Sequence, residues 1–410
     1  MIFLVLFFSS FLCFSEISQE QVITASPDAS IEQTEAESFN ESHPVEEPKN
    51  KISESFSFKK QESINGESFF NSLIENYSWF FQKRNTEKKL VLIPVFYMSR
   101  LRGGVLGARL FSYSTREKDY LGTSFSNQFS SSLFKWEFDY VSQDQTGFTV
   151  DSYMAYDGFV EFFYGFGMKT KDSDLKKLYP HKFIWDYKIK YMSKNHWFSS
   201  VTTRILIRKE RKSLQNNQIV FAPEVLFHLE GRAGYDSRDY EINTMSGHYH
   251  QVSFGCTPSL GNESSFCVAE ADLRYYYDFF SNYVLALRTF VGSSLISRIS
   301  YSMKYSLGGD EVLRGFSENR FLGDRIHFSQ AEIRAPLPIW SQFLSGVLFA
   351  EYGTLGGHKE DLKDFEWNVG TGLRLGMPPD YKMKLRVDFG FAISNKERPF
   401  NFLVDFFQAF

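Results

Sequence analysis

The chain is short of most things that mark a soluble enzyme. It holds only 3 cysteines and 6 tryptophans among 410 residues. Its 8 histidines are scattered, with neither an HExxH pair nor a nucleophile elbow, which speaks against catalysis and leaves no cofactor or metal site to nominate. A net charge of -4 gives no basic surface for nucleic acid. After the first residues there is no apolar run of the length a membrane helix needs, roughly 20 residues, so any later crossing would have to be made by strands.

What the chain has instead is aromatic: 45 Phe and 22 Tyr, far above ordinary usage. It opens on MIFLVLFFSSFLCFS, an apolar stretch of signal-peptide length without an early Lys or Arg, and residues 1–15 are read as an export signal. Cys13 invites a lipoprotein reading, but Leu12 is bulky where a lipid-attachment motif wants a small residue. Residues 16–87 are an acidic, Ser- and Glu-rich leader that buries too little apolar surface to offset ordering, and it is expected to be disordered. Within it, ESFFNSLIENYSWFFQK (67–83) is either a short amphipathic helix or a sticky linker. Cys256 and Cys267 flank the turn-rich TPSLGNESSF; in an oxidising compartment they would close one disulfide, and otherwise they remain two thiols.

From Lys88 onward the pattern has a period of two. In FEWNVGTGLRLGM, Phe365, Trp367, Val369, Leu373 and Leu375 share one face, and Glu366, Asn368, Gly370, Gly372 and Arg374 share the other. KMKLRVDFGFAI repeats this after the turn PPD, with Arg386, Asp388 and Gly390 on the polar side. Glu270, Asp272 and Arg274 form a polar stripe in a third segment, and Gln330, Glu332 and Arg334 in a fourth. Large aromatics on one face, with charges and glycines on the other, are the reverse of a soluble sandwich. They fit an all-β, 16-stranded antiparallel transmembrane β-barrel over 88–410, apolar toward lipid and polar toward the lumen. Its strands are expected to start near 89, 103, 120, 132, 147, 181, 196, 219, 247, 266, 282, 325, 345, 365, 381 and 401. The short connections FFSN, PLPIW and PPDY then all fall on the periplasmic side. The chain closes on NFLVDFFQAF, where alternation puts Phe402, Val404, Phe406 and Phe410 on one face. That pattern resembles the C-terminal signal that outer-membrane barrels present to the machinery that inserts them.

One loop does not alternate. GGDEVLRGFSENRF (308–321) sets Arg314 between Leu313 and Gly315, ahead of Phe316. With GYDSRDYEINTMSG (234–247), FFYGFGM (162–168), GTGLRL and LRVDFG, it resembles the bacterial surface-antigen barrel family, which includes the BamA and TamA assembly factors and the two-partner secretion transporters. The resemblance implies that this loop folds into the lumen and that Arg314 meets an acidic residue of a Phe-x-Asp-x-Gly motif on the thirteenth strand. Here that motif reads Phe349, Glu351, Gly353. A charge in a dry lumen needs such a partner, and the guanidinium fork suits a carboxylate. Gly315 is expected to let the backbone turn against the wall, and Phe316 to fill space beside Phe349. The bland alternative is a solvated loop arginine.

Members of the family carry periplasmic POTRA modules, and residues 16–87 have about the length of one but not its composition, so a member without them is expected. The resemblance implies an integral outer-membrane protein that inserts or translocates proteins or lipids. Its partners would be membrane lipid, the machinery for its own insertion, and a periplasmic or secreted client. A passive channel or surface-exposed structural protein that keeps the fold is the alternative.

Overall fold

The computed structural model describes residues 83–84, 88–99, 101, 103–114, 119–129, 133–144, 146–211, 221–239, 243–260, 265–280, 282–337, 344–360, 362–376, 384–393, 400–406 and 410. The expected export signal and nearly all of the expected leader, including the segment before Lys83, lie outside them.

One antiparallel sheet contains, among the described residues, a two-residue strand at Lys83–Arg84 and a series of longer strands. In chain order these are β1 (Lys88–Ser99), β2 (Gly103–Ser114), β3 (Asp119–Gln128), β4 (Phe134–Gln143), β5 (Phe148–Asp157), β6 (Pro180–Met192), β7 (Trp197–Glu210) and β8 (Glu224–Asp236). They continue as β9 (Gly247–Thr257), β10 (Phe266–Asp278), β11 (Val284–Ser294), β12 (Arg325–Pro336), β13 (Leu344–Gly356), β14 (Phe365–Gly376), β15 (Lys384–Ala392) and β16 (Phe400–Phe406). Each pairs with its sequence neighbours, so every connection is a hairpin. Strand starts follow the alternation closely; the widest difference is at β8, expected near 219 and beginning at Glu224, beyond Pro223. No helix among the described residues is long and apolar enough to cross a membrane.

The alternation sorts side chains to two solvents. On β14, Phe365, Trp367, Val369 and Leu373 are exposed outward, while Asn368 and Arg374 are buried inward. On β13, Leu348 points out and Phe349 and Glu351 point in. Outward aromatics cluster at strand ends, as in Tyr352 against Trp367 (4.9 Å) and Trp197 against Tyr235 (5.4 Å), the usual place of interfacial girdles.

The interior is filled partly by loops. Residues 295–324, between β11 and β12, carry a small ribbon in which Tyr305–Leu307 pairs with Phe321–Gly323. Its apolar residues Leu307, Leu313, Phe316 and Phe321 pack with Phe328 and Leu355 of the wall as the largest buried cluster described. Residues 158–179, between β5 and β6, carry a second ribbon, Glu161–Phe163 with Lys176–Leu178. The two loops lock together. Arg320 Nε donates to Asp172 Oδ1 at 2.8 Å and Arg320 NH2 to Thr170 O at 2.6 Å, and Gly167 N donates to Leu322 O at 2.8 Å. Gly165 and Gly167, in the FFYGFGM segment, take the positive φ values of 114° and 82° that this turn requires.

Cys256 and Cys267 face each other in register across β9 and β10 and are joined by a disulfide. The terminal phenylalanine differs from expectation. Phe402 and Val404 lie on β16, which ends at Phe406, but Phe410 does not continue their face. It turns inward against Tyr276 and Ala286, beneath the guanidinium of Arg334, whose NH2 donates to Phe410 O at 2.9 Å. Alternation governs side chains only while the strand lasts, and here it has stopped.

Candidate functional site

Arg314 lies at the tip of the 295–324 loop and is fully buried. Leu313 before it takes the left-handed conformation (φ 51°), aiming the arginine at the wall while its own side chain stays in the apolar cluster. Gly315 is required for a different reason from the turn expected of it. Its backbone lies on β15, where a Cβ at Gly390 would come within 2.5 Å of Gly315 N and a Cβ at Gly315 within 3.0 Å of Ala392 N. Backbone meets backbone here, and only glycine on both sides leaves the room.

The guanidinium reaches three strands. Nε donates to Glu351 Oε1 at 2.7 Å, NH1 donates to Asp388 Oδ2 at 2.9 Å, and NH2 sits 2.7 Å from Glu332 Oε1. The backbone N–H of Arg314 donates to Glu351 Oε2, also at 2.7 Å, so this one carboxylate holds both side chain and main chain. The ring of Phe349 lies 3.6 Å below the guanidinium, a cation–π contact with no water between. Phe349 is thus occupied by the arginine, and Phe316 finds a different neighbour: it meets Phe321 edge-on at 5.2 Å.

Each carboxylate also has a donor of its own on the wall. Glu332 accepts from Arg334 Nε at 2.9 Å, and Asp388 from Arg374 NH1 at 2.5 Å. Glu351 accepts from Gln330 Nε2 at 2.8 Å and Asn368 Nδ2 at 2.9 Å. Arg314, Arg334 and Arg374 balance Glu332, Glu351 and Asp388, so the cluster is neutral as a whole. Burial alone would lower the pKa of Arg314; the attraction of Glu351, Glu332 and Asp388 outweighs it and holds the value above normal.

Alternation along the wall places Phe349 and Glu351 where they meet Arg314. It does not single out Glu332 and Asp388, which look in the sequence like ordinary lumen polarity. For Asp388 the available signal is its spacing to glycine: it stands two residues before Gly390, on the same face, and a lumen-facing glycine in a strand marks a close approach; the strand that carries Glu332 has no glycine. Arg374 belongs to this cluster as well, whereas Glu270, Asp272 and Arg274 form a separate set, with Arg274 and Arg288 both on Asp272. Two described residues beyond β8 also meet the wall: Arg238 pairs with Asp236 at 2.7 Å, and Thr244 O accepts from Arg334 NH1 at 3.3 Å.

A sequence model described as the Omp85 superfamily domain matches residues 100–404, well over half of the chain. The chain belongs to the Omp85 superfamily. No curated protein matches it. Among solved structures, it is similar to BamA from Haemophilus ducreyi lacking POTRA domains 1–3, with a TM-score of 0.59 and 13% identity, over 78% of this chain and 70% of that one. It is also similar to CdiB from Escherichia coli, with a TM-score of 0.56 and 12% identity, over 78% of this chain and 63% of that one. At such identities the likeness is one of fold. Membership of the superfamily makes this an integral β-barrel of the bacterial outer membrane, of the kind concerned with protein insertion or translocation. The connections β1–β2, β3–β4 and so on to β15–β16 then lie on the outer side, and the Arg314 loop enters the lumen of this Omp85 barrel from outside.

Proposed function

We propose that this Omp85 barrel takes part in inserting or translocating proteins or lipids at the outer membrane, with the seam between β1 and β16 as its moving part. The observation that carries this reading is an inequality of edges. β1 is in register with β2 along its whole length, from Lys88↔Ser114 to Ser99↔Gly103. Among the described residues it meets β16 only through Met98↔Val404 and Ser99↔Leu403. Unpaired backbone at a strand edge favours the addition of another strand, so a short seam is both the easiest place to part and a template for a client. The Arg314 cluster works the other way, binding β12, β13 and β15 through one loop so that opening is confined to the seam. The reading assigns the barrel no catalytic step.

Depletion in the native host tests it. Other barrels, secreted proteins or outer-leaflet lipid should fall within a few generations; normal levels of all three would sink the proposal. A Met98→Cys/Val404→Cys pair, oxidised to lock the seam, should reproduce the depletion phenotype and recover on reduction.

A further inference from the structure

On the outside of the wall, three strands bring cationic and hydroxyl side chains to one point of the outer rim. Tyr156 stands near the end of β5, His181 at the start of β6, and Lys209 at the end of β7, with Arg211 just beyond. Their sequence neighbours turn into the lumen, where Lys182 (2.8 Å) and Arg208 (3.0 Å) share Glu161 and Glu210 pairs with Arg208. By alternation His181 and Lys209 point outward; they are directly opposite in register, and both are exposed. Arg211 is fixed from several sides. Its backbone N–H donates to Tyr179 O at 2.8 Å, Nε to His181 Nε2 at 3.1 Å, and NH2 to the Tyr156 hydroxyl at 2.9 Å. Gly158 makes room for it, since a Cβ there would stand 2.5 Å from Arg211 NH2.

Counting donors shows what this group would take. His181 Nε2 accepts from Arg211, so the imidazole proton sits on Nδ1 and points to the Tyr156 oxygen 2.6 Å away. The Tyr156 oxygen therefore accepts twice, and its own hydrogen is left to donate elsewhere. The guanidinium has used two of its N–H groups, and Lys209 has no partner among the described residues. The nearby carboxylates, Asp157, Glu161 and Glu210, all face Lys182 or Arg208 on the lumen side. The rim thus offers O–H and N–H donors with positive charge and, among the described residues, no carboxylate paired with them. Exposed aromatics share this face: Phe134, at the rim end of β4, stacks on Phe125 (5.5 Å) and lies tilted against Tyr156 (5.0 Å), and Trp136 and Phe125, paired in register, continue toward the membrane. Cations directly above an aromatic girdle stand at headgroup level.

We infer that Arg211, Lys209 and Tyr156 form a binding site for the phosphate of an outer-leaflet lipid headgroup. The planar fork of Arg211 would grip two phosphate oxygens, Lys209 would supply a point charge, and the Tyr156 hydroxyl a third donor. His181 is a positioning residue, orienting Arg211 and Tyr156 without a donor left for the lipid.

The test uses the full-length, heat-modifiable barrel in phosphatidylcholine nanodiscs carrying either a bisphosphorylated glucosamine lipid (lipid A) or its dephosphorylated form, with native mass spectrometry reading the lipid retained. Wild type should keep the phosphorylated form in clear preference. Lys209→Gln/Arg211→Gln should lower that retention about tenfold or more, since two charge-assisted contacts are lost. Tyr156→Phe should lower it by a smaller factor, and Arg204→Gln, inside the lumen, should leave it unchanged. Equal retention of the two lipids, or a folded double variant that retains lipid like wild type, overturns the inference. So does displacement of the lipid by millimolar inorganic phosphate alone, which would mark a site for the free ion.

Discussion

The lumen of this barrel has two walls built from the same ion-pair chemistry and held in different solvents. On the β12–β15 side, Arg314, Glu332, Glu351 and Asp388 have no exposed side-chain surface at all. On the β2–β7 side, away from the 295–324 loop, Arg204 grips Asp186 through Nε and NH2, both at 2.7 Å, in a geometry as good as any in the buried cluster. Yet that arginine is 40% exposed. Lys188 with Asp151 is similar, as is Arg109 with Asp139. An ion pair in water contributes little, because each partner is nearly as well solvated alone. A dry one can contribute little net stability and still be costly to break, because the survivor is left charged and unpaired. The difference lies in what covers the pair, and the cover is the 295–324 loop.

This contrast can be sharpened experimentally. The largest effect is expected from charge reversal. A two-residue pair would tolerate Arg314→Glu/Glu351→Arg, but here the new glutamate would face Glu332 and Asp388. The double variant restores the net neutrality that either single reversal breaks, so it should give more folded, heat-modifiable barrel than Arg314→Glu or Glu351→Arg alone but stay well below wild type; recovery to wild-type levels would reduce the cluster to a simple pair. Next comes Arg314→Ala, which strips one cation from three buried carboxylates and should destabilise by about 3–5 kcal/mol in urea titrations. Gly390→Ala removes no charge but drives a methyl into the loop backbone, for a loss of about 1–3 kcal/mol. If it unfolds no more easily than wild type, the loop does not sit against β15 as described. Arg204→Ala, on the wet wall, should change stability by less than about 1 kcal/mol. A loss as large as that of Arg314→Ala would show that wall to be dry too.

Much of this architecture can be read from the sequence because period-two alternation is a local property: it fixes which face a residue takes before any strand has a neighbour. That is why Phe349 and Glu351 can be assigned to the lumen, and why Leu348 can be assigned to lipid. Depth and stagger are not local. Whether Glu332, Asp388 or Asp272 meets the loop arginine depends on how far each strand is slid along the next, and the three look alike in the chain. The Arg320 contacts with Thr170 and Asp172 join two loops far apart in sequence, and nothing in either loop announces the other. Phe410 shows the limit from the opposite side. Extending the stripe past Phe406 placed it on the face of Phe402 and Val404, while Arg334 of β12 and Tyr276 of β10 hold it inside.

The second donor on each carboxylate has a consequence for the empty wall. Take away Arg314, and Glu332 still has Arg334, Asp388 still has Arg374, and Glu351 still has Gln330 and Asn368. The loop is a guest in a socket whose carboxylates each keep a donor without it, but three carboxylates then face two arginines, so the vacated wall would hold one unbalanced negative charge. A wall of this kind can keep its register while the loop is being seated during folding, or after it has been pulled out.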